Sequence, residues 1–253
     1  MNERCLAVTV DGQTIAEGCR VELFGLSNLS LYPDLLSLRI TNLSESSVNL
    51  LKQGKEISVY RGLSLVTGGD IQDVVQETVS DGVLTTVGFS FGTRFWEASV
   101  SLSLEAGMKA SETIRHLLAA SECGAQLLSF PEEDPVFARP QAFFGRLADA
   151  VDSVMSGVPG KACLVPGGVI VVPEHSENVD VEITEAEMVD EPEFLADRAV
   201  VRTLPTGWPM GRRARVRYRG REFTGVIAYH ELYADTADRL FQSELMIEKE
   251  LAA

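Results

Sequence analysis

Three kinds of side chain in this sequence have types and spacings that could do chemistry. Carboxylates come first. Ten Asp or Glu and no Lys or Arg lie between Glu174 and Asp197. Clustered carboxylates suit a hard cation such as calcium, but the twelve-residue loop with a central glycine that would wrap one is absent. In Val179–Thr184, VDVEIT, acids alternate with aliphatics, which places them on one strand face as a solvated acidic wall. Arginines come second. Arg213, Arg215, Arg217, Arg219 and Arg221 recur at every second residue with Ala214, Val216 and Tyr218 between. A period of two puts the first three on one face of a strand. Such a strand could follow a phosphate backbone, yet it lacks the repeated stacking aromatics of a single-strand-binding face. Pairing with an acidic surface of this or another subunit is the expectation, and Arg213, Arg215 and Arg217 are the candidate subunit-contact residues.

Nucleophiles come third. Cys163 and His175 stand twelve residues apart, a spacing that invites a thiol–base pair. Cys163 falls in an apolar stretch, however, and no oxyanion-donor motif accompanies it. No glycine-flanked serine elbow occurs. Cys5, Cys19, Cys123 and Cys163 form no C-x-x-C pair, so zinc spacing is missing and the four read as free thiols of a reducing compartment. His116, His175 and His230 are scattered without a metal spacing. Gly18–Gly25 and Gly207–Gly211 do not match a phosphate-cradling loop. No carboxylate pair stands out from the acidic background as a glycosidase dyad. The reading is therefore of a protein that is not an enzyme, with no cofactor and no metal.

The elements that would carry these residues are mostly strands. Asp11-Gly12 and Asp81-Gly82 are hairpin turns between extended runs. Ser99–Leu104 alternates small polar with apolar residues, as a half-buried strand does. Short strands broken by turn signals every eight to twelve residues mark a sandwich or barrel rather than βαβ units. From Gly107 the character changes. A helix is expected from an N-cap at Ser111 through Leu118 to Gly124, and a second over residues 141–155, followed by a hairpin from Cys163 to Val172 across Pro166-Gly167-Gly168. Strands return at 199–204, 213–218, 223–229 and 241–248. The fold class is α+β, mainly β: two small antiparallel β-barrel-like domains, residues 1–104 and 174–253, flanking a small α+β insert at 105–173.

The chain of 253 residues is 45% hydrophobic and 23% charged, ordinary values for a packed core. Its net charge of −15 argues against specific nucleic-acid binding by phosphate neutralisation. No apolar run approaches twenty residues, so stable membrane insertion is not expected. The start, MNERCLAVTVDG, lacks the long apolar region of a signal peptide and reads as a first strand.

Taken in order, the layout resembles the tail baseplate hub proteins of bacteriophages and related contractile injection machines. The similarity begins at Ile40-Thr41-Asn42-Leu43, a short helix at Ser47–Leu51, then Gly54-x-x-Ile57-x-Val59-Tyr60-Arg61-Gly62 and a strand ending Gly69-Asp70-Ile71. It continues through helices at Ser111–Leu118 and Phe143–Val154 and the stretch Gly167-Gly168-Val169-Ile170-Val171-Val172-Pro173. It closes with Ala199–Leu204, Met210–Val216 and Gly225-Val226. The resemblance implies a homotrimer whose two β-rich halves make a ring of pseudo-sixfold symmetry. Such a ring adapts a hexameric tail tube to a trimeric spike or tip around the DNA passage, in a virion tail assembled in the host bacterial cytoplasm. The chain stops at Ala253, so the spike-binding or lysozyme-bearing extensions of larger hubs are expected to be absent or on another protein. A cell-wall-degrading or carbohydrate-binding tail-associated protein is the alternative, and a monomeric module of two β domains is a third reading.

Overall fold

The computed structural model describes residues 6–17, 19–165, 167–174, 178–205, 207–238 and 240–249. The chain opens with a hairpin of β1 (Leu6–Val10) and β2 (Gln13–Glu17). Asp11 and Gly12 between them both have positive φ, 45° and 80°, as a two-residue turn that matches strand twist requires. β3 (Val21–Asn28) and β4 (Leu35–Thr41) follow. Helix α1 (Glu45–Gln53) begins where the Ser44 hydroxyl accepts the Ser47 N–H at 3.1 Å, and it ends at Gly54. β5 (Glu56–Arg61) then leads into a long hairpin of β6 (Ser64–Val79) and β7 (Gly82–Ser90).

The middle of the chain holds a short helix α2 (Thr93–Glu97), β8 (Ser99–Leu104), α3 (Ala110–Ser121), β9 (Gln126–Ser129), β10 (Gln141–Arg146), α4 (Leu147–Met155) and the hairpin strands β11 (Gly160–Val165) and β12 (Gly168–Pro173). α3 starts one residue before Ser111. The Ser111 hydroxyl donates to Asp134 at 2.7 Å, while Glu112 accepts the Lys109 N–H at 3.1 Å and so satisfies the helix start. The helix expected over 141–155 is instead a strand followed by a helix. Gly145 has φ 118°, which no α-helix contains, and residues 141–146 pair with β8 from Gln141↔Leu104 to Arg146↔Ser99.

The last part contributes β13 (Val181–Ile183), β14 (Glu193–Phe194), β15 (Arg198–Thr203), β16 (Arg213–Tyr218), β17 (Arg221–Asp235) and β18 (Leu240–Glu248). These strands do not close a barrel of their own. They join the first seven in one thirteen-stranded sheet of order β14-β15-β18-β17-β3-β4-β7-β6-β5-β1-β2, with β16 beside β17 and β13 beside β16. The protein is mainly β and α+β, as read from the sequence, but the path stays open and no closed barrel forms among the described residues. β17 makes the join. Its first half pairs with β16, a bulge falls between Ile227 and Tyr229, and its second half pairs with β3 from Tyr229↔Asn28 to Asp235↔Glu22. A bulge bends a strand and increases its twist, which lets one strand serve two neighbours on the same side. Arg20 and Asp235, 3.2 Å apart, and the Val21 N–H on Thr236 at 2.8 Å fasten the far end of the seam.

Three apolar cores lie around this frame. The first gathers β1–β7 and α1, with Leu232, Ala234 and Phe241 from the other end of the chain. The second packs Phe95, Val100, α3 and α4 on Ala162, Leu164, Val169 and Val171. The third sets Cys163, Ile170 and Val172 against Ile183, Val201, Val216, Leu245 and Ile247. The β11–β12 hairpin is therefore buried on both faces, which accounts for its unbroken apolar run. β8 belongs with the second core through Val100 and its pairing to β10.

Candidate interaction surfaces and the central cavity

The arginine strand is β16, and its acidic partners come from both neighbours. β13 lies parallel to it with Glu182 opposite Arg215, and β17 antiparallel with Glu222 opposite Arg217. Arg215 reaches Glu182 at 3.4 Å and Glu222 at 3.3 Å; Arg217 reaches the same two at 3.6 and 3.0 Å. Arg215 Nε is off-axis for a hydrogen bond to Glu222, so that contact is Coulombic only. The hydrogen bond from Arg217 to Glu222, with the charges of Glu182 and Glu222, holds its guanidinium above the usual arginine range. Asp180 accepts the Arg213 N–H at 3.1 Å and Glu185 the Arg219 N–H at 2.6 Å. Arg219 and Arg221 lie over the rings of Tyr218 and Phe194 at 5.0 and 4.6 Å. The acidic run and the basic strand thus meet within one chain. Arg213 has no ion pair to its guanidinium among the described residues, and its Nε lacks a hydrogen-bond partner.

A cavity of about 730 Å³ opens where the three cores meet. Its lining includes Asp34, His230 and Trp208 among apolar walls such as Leu36, Phe95 and Ile170. A row of polar groups crosses the sheet beside it. Ser27 lies opposite His230 on β3 and β17, His230 Nε2 is 3.0 Å from the Ser243 hydroxyl, Ser243 lies opposite Thr203, and Thr203 accepts the Trp208 N–H at 2.8 Å. Burial pushes the Asp34 carboxyl up to about 7, against the pull of hydrogen bonds from Ser27 and Asn28, and its Oδ2 has no partner. Burial draws His230 down to about 4. It also pushes the Cys163 thiol up to about 12, which leaves that sulfur protonated and unreactive.

Cys5 and His175 lie outside the described residues. Cys19, Cys123 and Cys163 are free thiols, the first two half-buried. His116 is exposed on α3. Among the described residues no group of three or more His, Cys, Asp or Glu is placed to hold a metal ion, and no helix is long and apolar enough to cross a membrane.

One surface is hidden from a sequence reading that makes 141–155 a single helix. On the β8–β10 ribbon, Ser99, Ser101 and Ser103 face outward beside Arg146, Phe144 and Ala142. Phe144 is 92% exposed. At one end of the ribbon Arg146 lies over the Trp96 ring at 5.0 Å, and Trp96 packs on Tyr32 with ring centroids 4.7 Å apart. The one local signal is Gly145, a poor helix former within the run.

No protein-family profile matches the chain, and no curated protein sequence matches it. Solved structures do. A tail protein from Neisseria meningitidis MC58 superposes with a TM-score of 0.69 at 12% identity, over 96% of both chains. The 43 kDa tail protein of prophage MuSo2 from Shewanella oneidensis gives 0.68 at 8% identity, over 97% of this chain and 98% of that one. The E. coli c3393 protein, described as a component of the type VI secretion system with structural similarity to T4 bacteriophage tail proteins gp27 and gp5, gives 0.66 at 11% identity, over 96% of this chain and 77% of its own. The protein has the fold of phage tail proteins and their relatives in type VI secretion, in line with the resemblance read from its sequence.

Proposed function

We propose that this protein is a structural component of a phage tail or injection-machine baseplate: a homotrimeric hub that joins a hexameric tail tube to a trimeric spike or tip and surrounds the DNA passage. The observation that carries this reading is the end-to-end superposition on two tail proteins, which leaves almost no part of either chain unmatched. A shared sheet that runs from the first strands to the last supports it, because one rigid frame can hold two β-rich segments at a fixed angle in a ring. The net charge of −15 supports it too, since an acidic lining repels DNA that moves past. The arginine strand, with Arg213, Arg215 and Arg217, is placed at a subunit contact, and the unit boundaries are drawn near residues 104 and 173. The protein acts by surfaces rather than by catalysis. In the assembled tail it sits between tube and spike, after assembly in the host cytoplasm.

Mass measurement of the purified protein, followed by electron microscopy, tests this. A trimer seen as a ring is the expected result. A monomer at all concentrations would remove the hub reading in favour of a stand-alone binding module, and peptidoglycan turnover by the purified protein would favour the hydrolase.

A further inference from the structure

The β8–β10 ribbon is exposed to solvent with Arg146, at its end, as its one charged residue. The two strands pair only with each other among the described residues. Exposed strand edges and faces are usually blunted by Lys, Pro or inward-pointing charge. Here Ala98–Leu104 and Gln141–Gly145 contain no charged residue and no proline. The outward face is three serines, an alanine and Phe144, with Arg146 already held by Asp149 at 3.0 Å and stacked on Trp96. Phe144, 92% exposed, projects from it, and Tyr32, 63% exposed, lies at its end against Trp96. A solitary exposed aromatic is ordinary. An aromatic and arginine cluster beside small hydroxyl side chains, with no net charge, has the composition of the centre of a protein contact.

The charge pattern says which partner. The chain carries −15 overall, so a basic partner would be met by its acids. A surface stripped of charge is needed toward a partner of the same sign, because each like-charge pair brought together costs binding free energy. The partner of assured like charge is another copy of this chain. We infer that the ribbon face, anchored by Phe144, packs against a second copy of the protein. The inference rests on the trimeric reading above and adds a surface to it. In a closed ring of three, each copy offers two unlike patches, so the ribbon meets a different part of its neighbour. A stable contact buries roughly 800 Å² per partner, so the interface that Phe144 anchors extends beyond these two six-residue strands.

The test is the mass in solution of the wild type, Phe144→Asp, Phe144→Leu and Leu63→Asp over a range of concentrations. Phe144 and Leu63 (94% exposed, on the turn between β5 and β6) can both change without disturbing a core. The expected result is a trimer for the wild type, Phe144→Leu and Leu63→Asp. Association should be weakened at least roughly 100-fold for Phe144→Asp alone. A Phe144→Asp protein that keeps the wild-type mass overturns the ribbon contact and leaves the trimer standing. Equal dissociation by Leu63→Asp overturns it as well, since the effect would then belong to any added charge. A monomeric wild type removes the trimer and this contact together.

Discussion

Asp34 and His230 line one cavity and titrate in opposite senses. Asp34 has its carboxyl raised to about 7 in the folded chain, so its contribution is fully present below the ordinary carboxylate range and is lost as pH rises through 7. His230 is drawn down to about 4, so its contribution is present above the ordinary imidazole range and is lost as pH falls toward 4. Between pH 4 and 7 the two slopes oppose, and wild-type stability should vary little. Asp34→Asn should be more stable than the wild type at pH 8 by roughly 2–4 kcal/mol and equal to it near pH 3.5. His230→Asn should expose the falling slope of Asp34. Urea titrations at four pH values measure this, and a pH-independent difference for Asp34→Asn would show that its carboxyl ionises normally. Neither role was legible in the sequence. A lone aspartate in Tyr32-Pro33-Asp34 reads as a turn, and its burial beside Ser27 and Asn28 of β3 is a tertiary outcome. The arginines were legible, because period two announces a strand face. Which acids they meet was not, since that depends on the register of β13. Arg215→Glu with Arg217→Glu should lower the melting temperature. Adding Glu182→Arg and Glu222→Arg rebuilds the ladder with its signs reversed and should restore it. If the four-fold variant folds yet stays monomeric, the strand is a subunit contact; a wild-type trimer would confine the ladder to an internal role.

At the scale of elements, the hairpins and the closing strand could be read from turn residues and alternation, because both are local. Asp11-Gly12 fixes its turn by itself, and Phe241-x-x-x-Leu245-x-Ile247 keeps alternate residues on the buried face, Phe241 in the first core and Leu245 and Ile247 in the third. The strand at Gln141–Arg146 could not, because Phe143, Phe144, Leu147, Val151 and Met155 also fit a helical face. What decides it is β8 on one side and the positive φ of Gly145. Close approach of strands makes a second prediction. A Cβ at Gly168 would run into the Gln126 carbonyl, a backbone atom of the parallel neighbour β9, whereas one at Gly157 would meet nothing within 4 Å. Gly168→Ala should therefore cost about 2 kcal/mol or more and loosen β9 from β12. Gly157→Ala should be neutral or slightly stabilising. Chemical denaturation of the two variants distinguishes them, and equal midpoints would mean that β9 does not pack on β12 as described.

For the whole molecule, charge and shape set the conditions of assembly. Copies that each carry −15 repel, and salt screens that repulsion over about 8–10 Å near physiological strength. If the contact is centred on the uncharged ribbon, association should tighten between 50 and 500 mM NaCl, as read by sedimentation; loosening with salt would instead put the arginine strand at its centre. That the two β-rich segments share a sheet was beyond sequence patterning, because the pairing of β3 with β17 joins residues 201 (229 − 28) to 213 (235 − 22) positions apart and nothing local encodes it. The same seam governs the order in which the molecule can form. β3 has no partner on that side until Tyr229–Asp235 has been synthesised and has returned across the whole chain, and contacts of such long range form slowly. A nascent chain therefore carries an open strand edge and an incomplete first core through most of its synthesis. Leu232, Ala234 and Phe241 fill that core last, so a chain cannot complete its first core, or offer a finished surface to its neighbours, before its final strands have docked.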